Sequence, residues 1–301
     1  MSGAGDVNAD GYDDILFGAD GDDDGGSTAG AAYLVLGRAS PTSLGVSAAD
    51  AKYTGMAEGD DAGQAVSGAG DVNGDGYDDL LIGAWLNDDG PGSKAGAAFL
   101  ILGRVAPKSL SLSAADAEYT GEADSDYAGD AVAGAGDVNA DGYDDILIGA
   151  DTNDDAGAGS GAAYLVLGSL SPTSLGLASA DAQYTGAAES DFAGSAVSGV
   201  GDIDEDGFDD MLVGADNHDA GGSDAGAAFL VRGSAWPASL GLSLADAIYT
   251  GEASSDSAGN AVSGAGDVDA DGFDDLLIGA YHNNDGGSNA GAAYLILGAG
   301  G

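Results

Sequence analysis

The nine-residue stretch DVNADGYDD at residues 6–14 returns four times at an almost fixed interval, and that interval limits the fold more than any other feature. It recurs as DVNGDGYDD from Asp71, DVNADGYDD from Asp137, DIDEDGFDD from Asp202 and DVDADGFDD from Asp267, at spacings of 65, 66, 65 and 65 residues. A constant period in this range marks a solenoid or a propeller, in which each repeat is one supersecondary unit that cannot bury its apolar face alone. No shift in composition marks a boundary, so residues 1–301 read as a single domain of five repeats.

Within a period, four short apolar runs stand between Gly- and Asp-rich turns. In the second repeat they are AVSGAG (65–70), LLIGA (80–84), AGAAFLILG (95–103) and AEYTG (117–121), the last with kin at 51–55, 182–186 and 247–251. Runs this short, rich in Val, Ile, Leu and Tyr and bounded by Gly and Asp, read as strands. Four of them per period predict an all-β fold, a β-propeller of four-stranded antiparallel blades. The first strand is built of small residues (Ala65, Val66, Ser67, Gly68, Ala69), which suits the crowded axis of a radial arrangement. The bulkier third strand (Tyr33, Leu34, Val35, Leu36) is expected to pack between blades. One helical turn is expected within SLGVSAADA (43–51), with Ser47–Asp50 and Ser243–Asp246 as capping pairs, although the third copy has Ala178 in place of Ser.

The recurring acidic stretch places oxygens at alternate positions. Asp6, Asn8 and Asp10 point one way along a curling loop, Gly11 allows the sharp bend, Tyr12 offers its carbonyl and Asp14 closes the shell. Hard oxygen donors at this spacing suit Ca²⁺, while Mg²⁺ keeps its waters and seldom takes a wholly protein-made cage. The same set recurs as Asp71, Asn73, Asp75, Tyr77 and Asp79, and as Asp137, Asn139, Asp141, Tyr143 and Asp145. It continues as Asp202, Asp204, Asp206, Phe208 and Asp210, and as Asp267, Asp269, Asp271, Phe273 and Asp275. The remaining acids of the motif, Asp13, Asp78, Asp144, Asp209 and Asp274, are expected to face solvent or cap a turn. An EF-hand shares the opening but needs Glu at its twelfth position, where this chain has Phe17, Ile82, Ile148, Val213 or Ile278. That reading fails.

Composition supports the loop and removes several classes of function. Of 52 acidic residues against 6 basic ones, six are Glu and therefore 46 are Asp, alongside 56 Gly. That bias belongs to tight turns and oxygen-ligand loops, and the apolar runs argue against disorder. About one Ca²⁺ per repeat would move the formal charge from −46 to about −36. Nucleic acid is an unsuitable partner without clustered Lys and Arg, and so is an anionic membrane surface. There is no cysteine for a disulfide or thiolate site. No run approaches the ~18 apolar residues of a membrane span, and no signal peptide is expected at the N-terminus.

The small-residue first strand, the loop D-x-[DN]-x-D-G-[YF]-x-D, the run LLIGA and the strand GAAYLVLG together resemble the FG-GAP repeat, the blade unit of integrin α-chain propellers and of many bacterial surface proteins. The resemblance covers essentially the whole chain. It implies that the loop joins a blade's first and second strands and binds Ca²⁺ on one face of a disc. The FG of the name stands here as Ala62-Gly63, Ala128-Gly129, Ala193-Gly194 and Ala258-Gly259; GAP stands as GAD (18–20, 149–151, 214–216), GAW (83–85) and GAY (279–281). Family propellers usually have seven blades, so this chain reads either as a five-bladed ring with an incomplete seam or as part of a longer array. The resemblance further implies a secreted or surface-displayed, bacterial-type adhesion or protein-interaction module. A carbohydrate-binding propeller and a non-catalytic domain of a larger secreted enzyme are the alternatives.

A protein or glycan ligand is expected on the face opposite the acidic loops. That face carries the turns DGDDDGGS (20–27), WLNDDGPGS (85–93), DTNDDAGAGS (151–160), DNHDAGGS (216–223) and YHNNDGGS (281–288). Trp85 and Tyr281 share one column there, and His218 and His282 fall one column apart without a nucleophile suggested nearby. Carboxylate pairs present in every repeat are metal sites before they are a general acid and base, so the chain is not expected to be an enzyme.

Overall fold

In a computed structural model, the described residues are 1–40, 43 and 45–298. They form five sheets joined by turns and four short 3₁₀ turns. The first sheet runs Ser2–Gly5, Asp14–Ala19, Ala31–Val35 and Ala51–Thr54. The second runs Val66–Gly70, Asp79–Ala84, Ala97–Ile101 and Ala117–Thr120. The third runs Val132–Gly136, Asp145–Ala150, Ala162–Val166 and Ala182–Thr185. The fourth runs Ala193–Gly201, Asp210–Ala215, Ala227–Val231 and Ala247–Thr250. The fifth holds Ala258–Gly266, Asp275–Ala280 and Ala292–Ile296. Sheets of this make, repeated in order along the chain, fit a β-propeller. The chain divides into two compact units, residues 1–134, 143–146 and 167–180 in one and residues 135–142, 147–166 and 181–301 in the other.

Side-chain alternation along the strands explains the packing. In the first unit, Leu16, Leu34 and Tyr53 of the first sheet meet Leu80, Ile82, Phe99 and Ile101 of the second in one buried cluster. Leu81 and Leu100, on the second sheet's other face, are also fully buried. A strand covered on both faces should read as a continuous apolar run, and Asp79–Ala84 is buried at all six positions. In the second unit, Leu212 and Leu230 of the fourth sheet pack on Leu276 and Ile278 of the fifth. Each such side chain contributes about 1.5–3 kcal/mol when fully buried, so these layers between sheets supply most of the folding energy.

The same layers account for Ala-Gly where the family name carries Phe-Gly. Gly63 donates its N–H to the Gly83 carbonyl at 2.8 Å, and a Cβ on Gly18 would lie 1.7 Å from the Gly63 carbonyl oxygen. The glycines are sterically required there. The residue before them is only required to be small and apolar enough to bury, as Ala62, Ala128, Ala193 and Ala258 are, at 0–3% exposure.

Two features depart from the sequence expectation. Three sheets gain a fifth, parallel strand lent by the following repeat: Leu110–Ser111 pairs with Tyr53–Thr54, Leu175–Gly176 with Tyr119–Thr120, and Leu240–Gly241 with Tyr184–Thr185. In each case a serine hydroxyl one residue earlier (Ser109, Ser174, Ser239) accepts the N–H of Lys52, Glu118 or Gln183 at 2.9 Å. The leucine two residues on (Leu112, Leu177, Leu242) is buried.

The expected capping pairs are also absent. The turns at Val46–Ala48 and Leu242–Leu244 begin at Gly45 and Gly241 with no side-chain cap. Asp50 and Asp246 lie past the turn, where their carboxylates accept the N–H groups of Leu36 and Arg232 just beyond the third strands. Those amides have left the sheet ladder and need an acceptor.

Candidate metal loops

All five acidic loops lie between the first and second strands of their sheets, and the hydrogen bonds follow one pattern. In the first loop Asp6 accepts the N–H groups of Asp10 (3.0 Å) and Gly11 (2.8 Å), one on each carboxylate oxygen. The Asn8 side-chain oxygen also accepts the Asp10 N–H, and the Asn8 amide donates to Asp10 at 3.1 Å. Asp10 in turn accepts the Tyr12 N–H. The second loop repeats each contact with Asp71, Asn73, Asp75 and Tyr77. Asp137, Asn139 and Asp141 show the same bonds in the third. The fourth and fifth loops keep the bonds to Asp202 and Asp267 and those from Phe208 and Phe273 to Asp206 and Asp271. The bonds thus bring the first, third and fifth positions of the motif together in the first three loops and in the fifth, where the Asp271 N–H also reaches Asp269, and the first and fifth positions together in the fourth.

The ninth position is the anchor. Asp14, Asp79, Asp145, Asp210 and Asp275 are all buried. One oxygen accepts the N–H of the second motif residue, as Asp14 does from Val7 (3.0 Å) and Asp79 from Val72 (3.0 Å). The other accepts a glycine N–H just beyond the third strand: Gly37, Gly103, Gly168, Gly233 or Gly298, at 2.7–2.8 Å. This carboxylate therefore ties the loop to the sheet. Burial pushes Asp79 up to about 7 against the pull of its two backbone donors, and Asp75 and Asp71 add to the rise. Burial likewise raises Asp210 to about 6, with Asp204 and Asp206 adding, and it raises Asp14. A carboxylate held above its ordinary range by burial and like charge favours a proton or a cation beside it.

The eighth motif residue faces solvent as expected at Asp13, but not at Asp78, Asp144 and Asp209. Asp78 accepts the N–H of Asp6 in the preceding loop at 2.6 Å, Asp144 that of Asp71 at 2.7 Å and Asp209 that of Asp137 at 2.9 Å. Each reaches across to the repeat before it. The glycine at the contact has φ +73° at Gly70, where a Cβ would sit 2.0 Å from the Asp144 carboxylate.

The fourth loop has a basic residue that the sequence reading passed over. Arg232 Nη1 lies 2.7 Å from Asp204 Oδ2, and the Asp204 side chain is 8% exposed. The signal was the VRG of residues 231–233, where the other repeats have Leu before Gly. Oxygens of Asp202, Asp204 and Asp210 lie within 4.8 Å of one another, as do those of Asp267, Asp269 and Asp271 in the fifth loop. Asp204 Oδ1 is buried without a hydrogen-bond partner. An orphaned carboxylate oxygen facing the oxygens of two further carboxylates fits a hard cation of flexible coordination, with the Arg232 guanidinium held on the other oxygen of Asp204.

On the turns after the second strands, Trp85 packs edge-on against Tyr127 at 5.1 Å. His218 Nδ1 meets the buried Asp191 at 3.0 Å and its ring abuts Phe229. Tyr281 is exposed and stacks on His282 at 3.8 Å. Among the described residues, no helix is long and apolar enough to cross a membrane.

Repeated sheets with an acidic loop between the first two strands fit the β-propeller class. Residues 62–101 and 258–296 match the FG-GAP repeat family. Human integrin alpha-IIb is 33% identical over 169 residues, 54% of this chain and 16% of that protein. Integrin alpha-5 of Xenopus laevis is 31% identical over 172 residues, 54% and 15% of the two chains. Integrin alpha-V of Gallus gallus is 30% identical over 219 residues, 70% of this chain and 19% of its own length. The chain carries FG-GAP repeats and is integrin-like in sequence, and it spans less than a fifth of the length of these relatives.

Proposed function

We propose that residues 1–301 form a calcium-stabilised propeller domain that serves as an extracellular adhesion or protein-interaction module without catalytic activity of its own. Bound Ca²⁺ would be held in each repeat by the first, third, fifth and ninth side chains of the motif and by the seventh carbonyl. Its role is to neutralise crowded carboxylates and to fix the loop face. The observation that carries this reading is the oxygen cluster of Asp202, Asp204 and Asp210 with its partnerless Asp204 Oδ1, in a loop pattern repeated five times. The integrin relatives and the FG-GAP matches support a binding module. Trp85, the residue on which a glycan-binding reading would most depend, is engaged with Tyr127, so the protein-interaction reading is preferred.

Calcium titration with thermal melting tests the proposal. Saturating Ca²⁺ is expected to raise the midpoint, and excess chelator to lower it by ten degrees or more, on the order of 2–4 °C per kcal/mol for a chain of this size. Asp10→Ala is expected to remove one bound ion per chain. A melting curve indifferent to chelator, with no alkaline-earth content in the folded protein, would overturn the reading.

A further inference from the structure

The five loops are not equivalent in charge. The first three offer three carboxylates and one amide (Asn8, Asn73, Asn139), whereas the fourth and fifth offer four carboxylates, with Asp204 and Asp269 where the amide stood. The fourth loop alone has Arg232 within reach, its guanidinium 2.7 Å from Asp204 Oδ2. In the fifth loop the matching residue is Leu297. Asp204 therefore has one oxygen held by a cationic donor and the other, Oδ1, buried with no partner in the oxygen cluster. That arrangement copies an asparagine: one atom is engaged in a hydrogen bond and the other is offered as a ligand. Over the four side-chain ligand positions alone, and with the guanidinium counted, the fourth set carries the net charge of the first three and the fifth is one unit more negative; Glu205, exposed, adds one further acid to the fourth loop outside that set.

We propose that Arg232 is a built-in counter-ion that sets the cation affinity of the fourth loop, presenting Asp204 as an amide-like, single-oxygen donor. The inference rests on the calcium reading above. Ligand charge count is a main determinant of Ca²⁺ affinity in oxygen sites. The guanidinium acts at short range, is half exposed and is partly screened by water. An effect of about tenfold on one site is therefore expected, with the others unchanged.

Three variants form a closed test by calcium calorimetry on the whole chain. Arg232→Leu, which installs the residue found in the other four repeats, is expected to tighten one site about tenfold. Asp204→Asn alone leaves the guanidinium without its acid and is expected to weaken one site by a similar factor. The double variant recreates the first three loops and is expected to return near the wild-type affinity. Leu297→Arg, at a half-exposed position where arginine has room, is expected to weaken the fifth site, and it keeps the test alive if Arg232→Leu misfolds. Binding isotherms identical in wild type, Arg232→Leu and Leu297→Arg would overturn the proposal while leaving calcium binding intact. Absence of any calcium heat in the wild type would sink the calcium reading itself.

Discussion

Between the first and second sheets, one position in the repeat carries opposite charge. In the first, Lys52 Nζ bridges Asp22 (2.8 and 2.9 Å) and Asp24, with Tyr33 donating its hydroxyl to Asp22 at 2.6 Å. In the second, the same address holds Glu118, facing Asn87, Asp89 and Phe99 in place of Asp22, Asp24 and Tyr33. Burial alone would lower Lys52, but bonds to Asp22, Asp24 and Tyr33 more than offset it, so the ammonium is held above its ordinary range. Glu118 has Oε1 buried without a partner, and burial, then Asp89 and Asp60, push its carboxyl up. In the third sheet the address is Gln183, whose amide donates to Asp155 at 2.7 Å. The repeat fixes backbone and core; this polar column is left to each sheet's own neighbours, and in the second sheet Glu118 and Asp89 meet no basic side chain there, Asp89 accepting only from the Asn87 amide at 3.4 Å among the described contacts.

Exchanging the two residues tests the contrast. Lys52→Glu, which gives the first sheet the second's charge, is expected to cost about 3 kcal/mol, because it removes a part-buried partner and adds a third carboxylate. Denaturant midpoints would show it, and an unchanged midpoint would mean the network contributes nothing. Glu118→Lys should move stability the other way by about 1 kcal/mol, replacing a like charge beside Asp89 and Asp60 with a cationic donor. A loss there would break the comparison. The smallest effect is in pH. The folded-state pKa of Glu118 is raised, so its contribution is fully present below the ordinary Glu range and is lost as pH rises through the raised value. Glu118→Gln should therefore gain on wild type at pH 7.5 relative to pH 4, by less than about 1 kcal/mol after solvent screening. A difference that stays constant with pH would show that Glu118 does not titrate abnormally.

The features legible in the sequence are those that depend on neighbours along the chain. Asp79–Ala84 was visible as LLIGA because a short apolar run between Asp and Gly has few other uses, and the loop at Asp71–Asp79 because its oxygens alternate with a glycine at the bend. The unread features join residues far apart in sequence. Leu110 pairs with Tyr53 over two residues only, too short for any periodicity. Asp78 looked like one more surface acid, yet it serves the amide of Asp6. Arg232 and Asp204 each look like a minor variation; only their 2.7 Å separation makes them one feature. Asp50 reads as a helix cap because Ser and Asp at that spacing often are, whereas the stronger need is the amide beyond the third strand.

The serine–leucine latch has a consequence for how such a chain grows. Since Ser109–Leu112 closes the sheet before its own, the stretch that is copied as sequence and the body that folds are out of phase by part of a repeat. A duplication therefore arrives already carrying the fastener for its predecessor, and every new joint is made like the old ones. Excising one linker, by the same logic, would leave two sheets ragged.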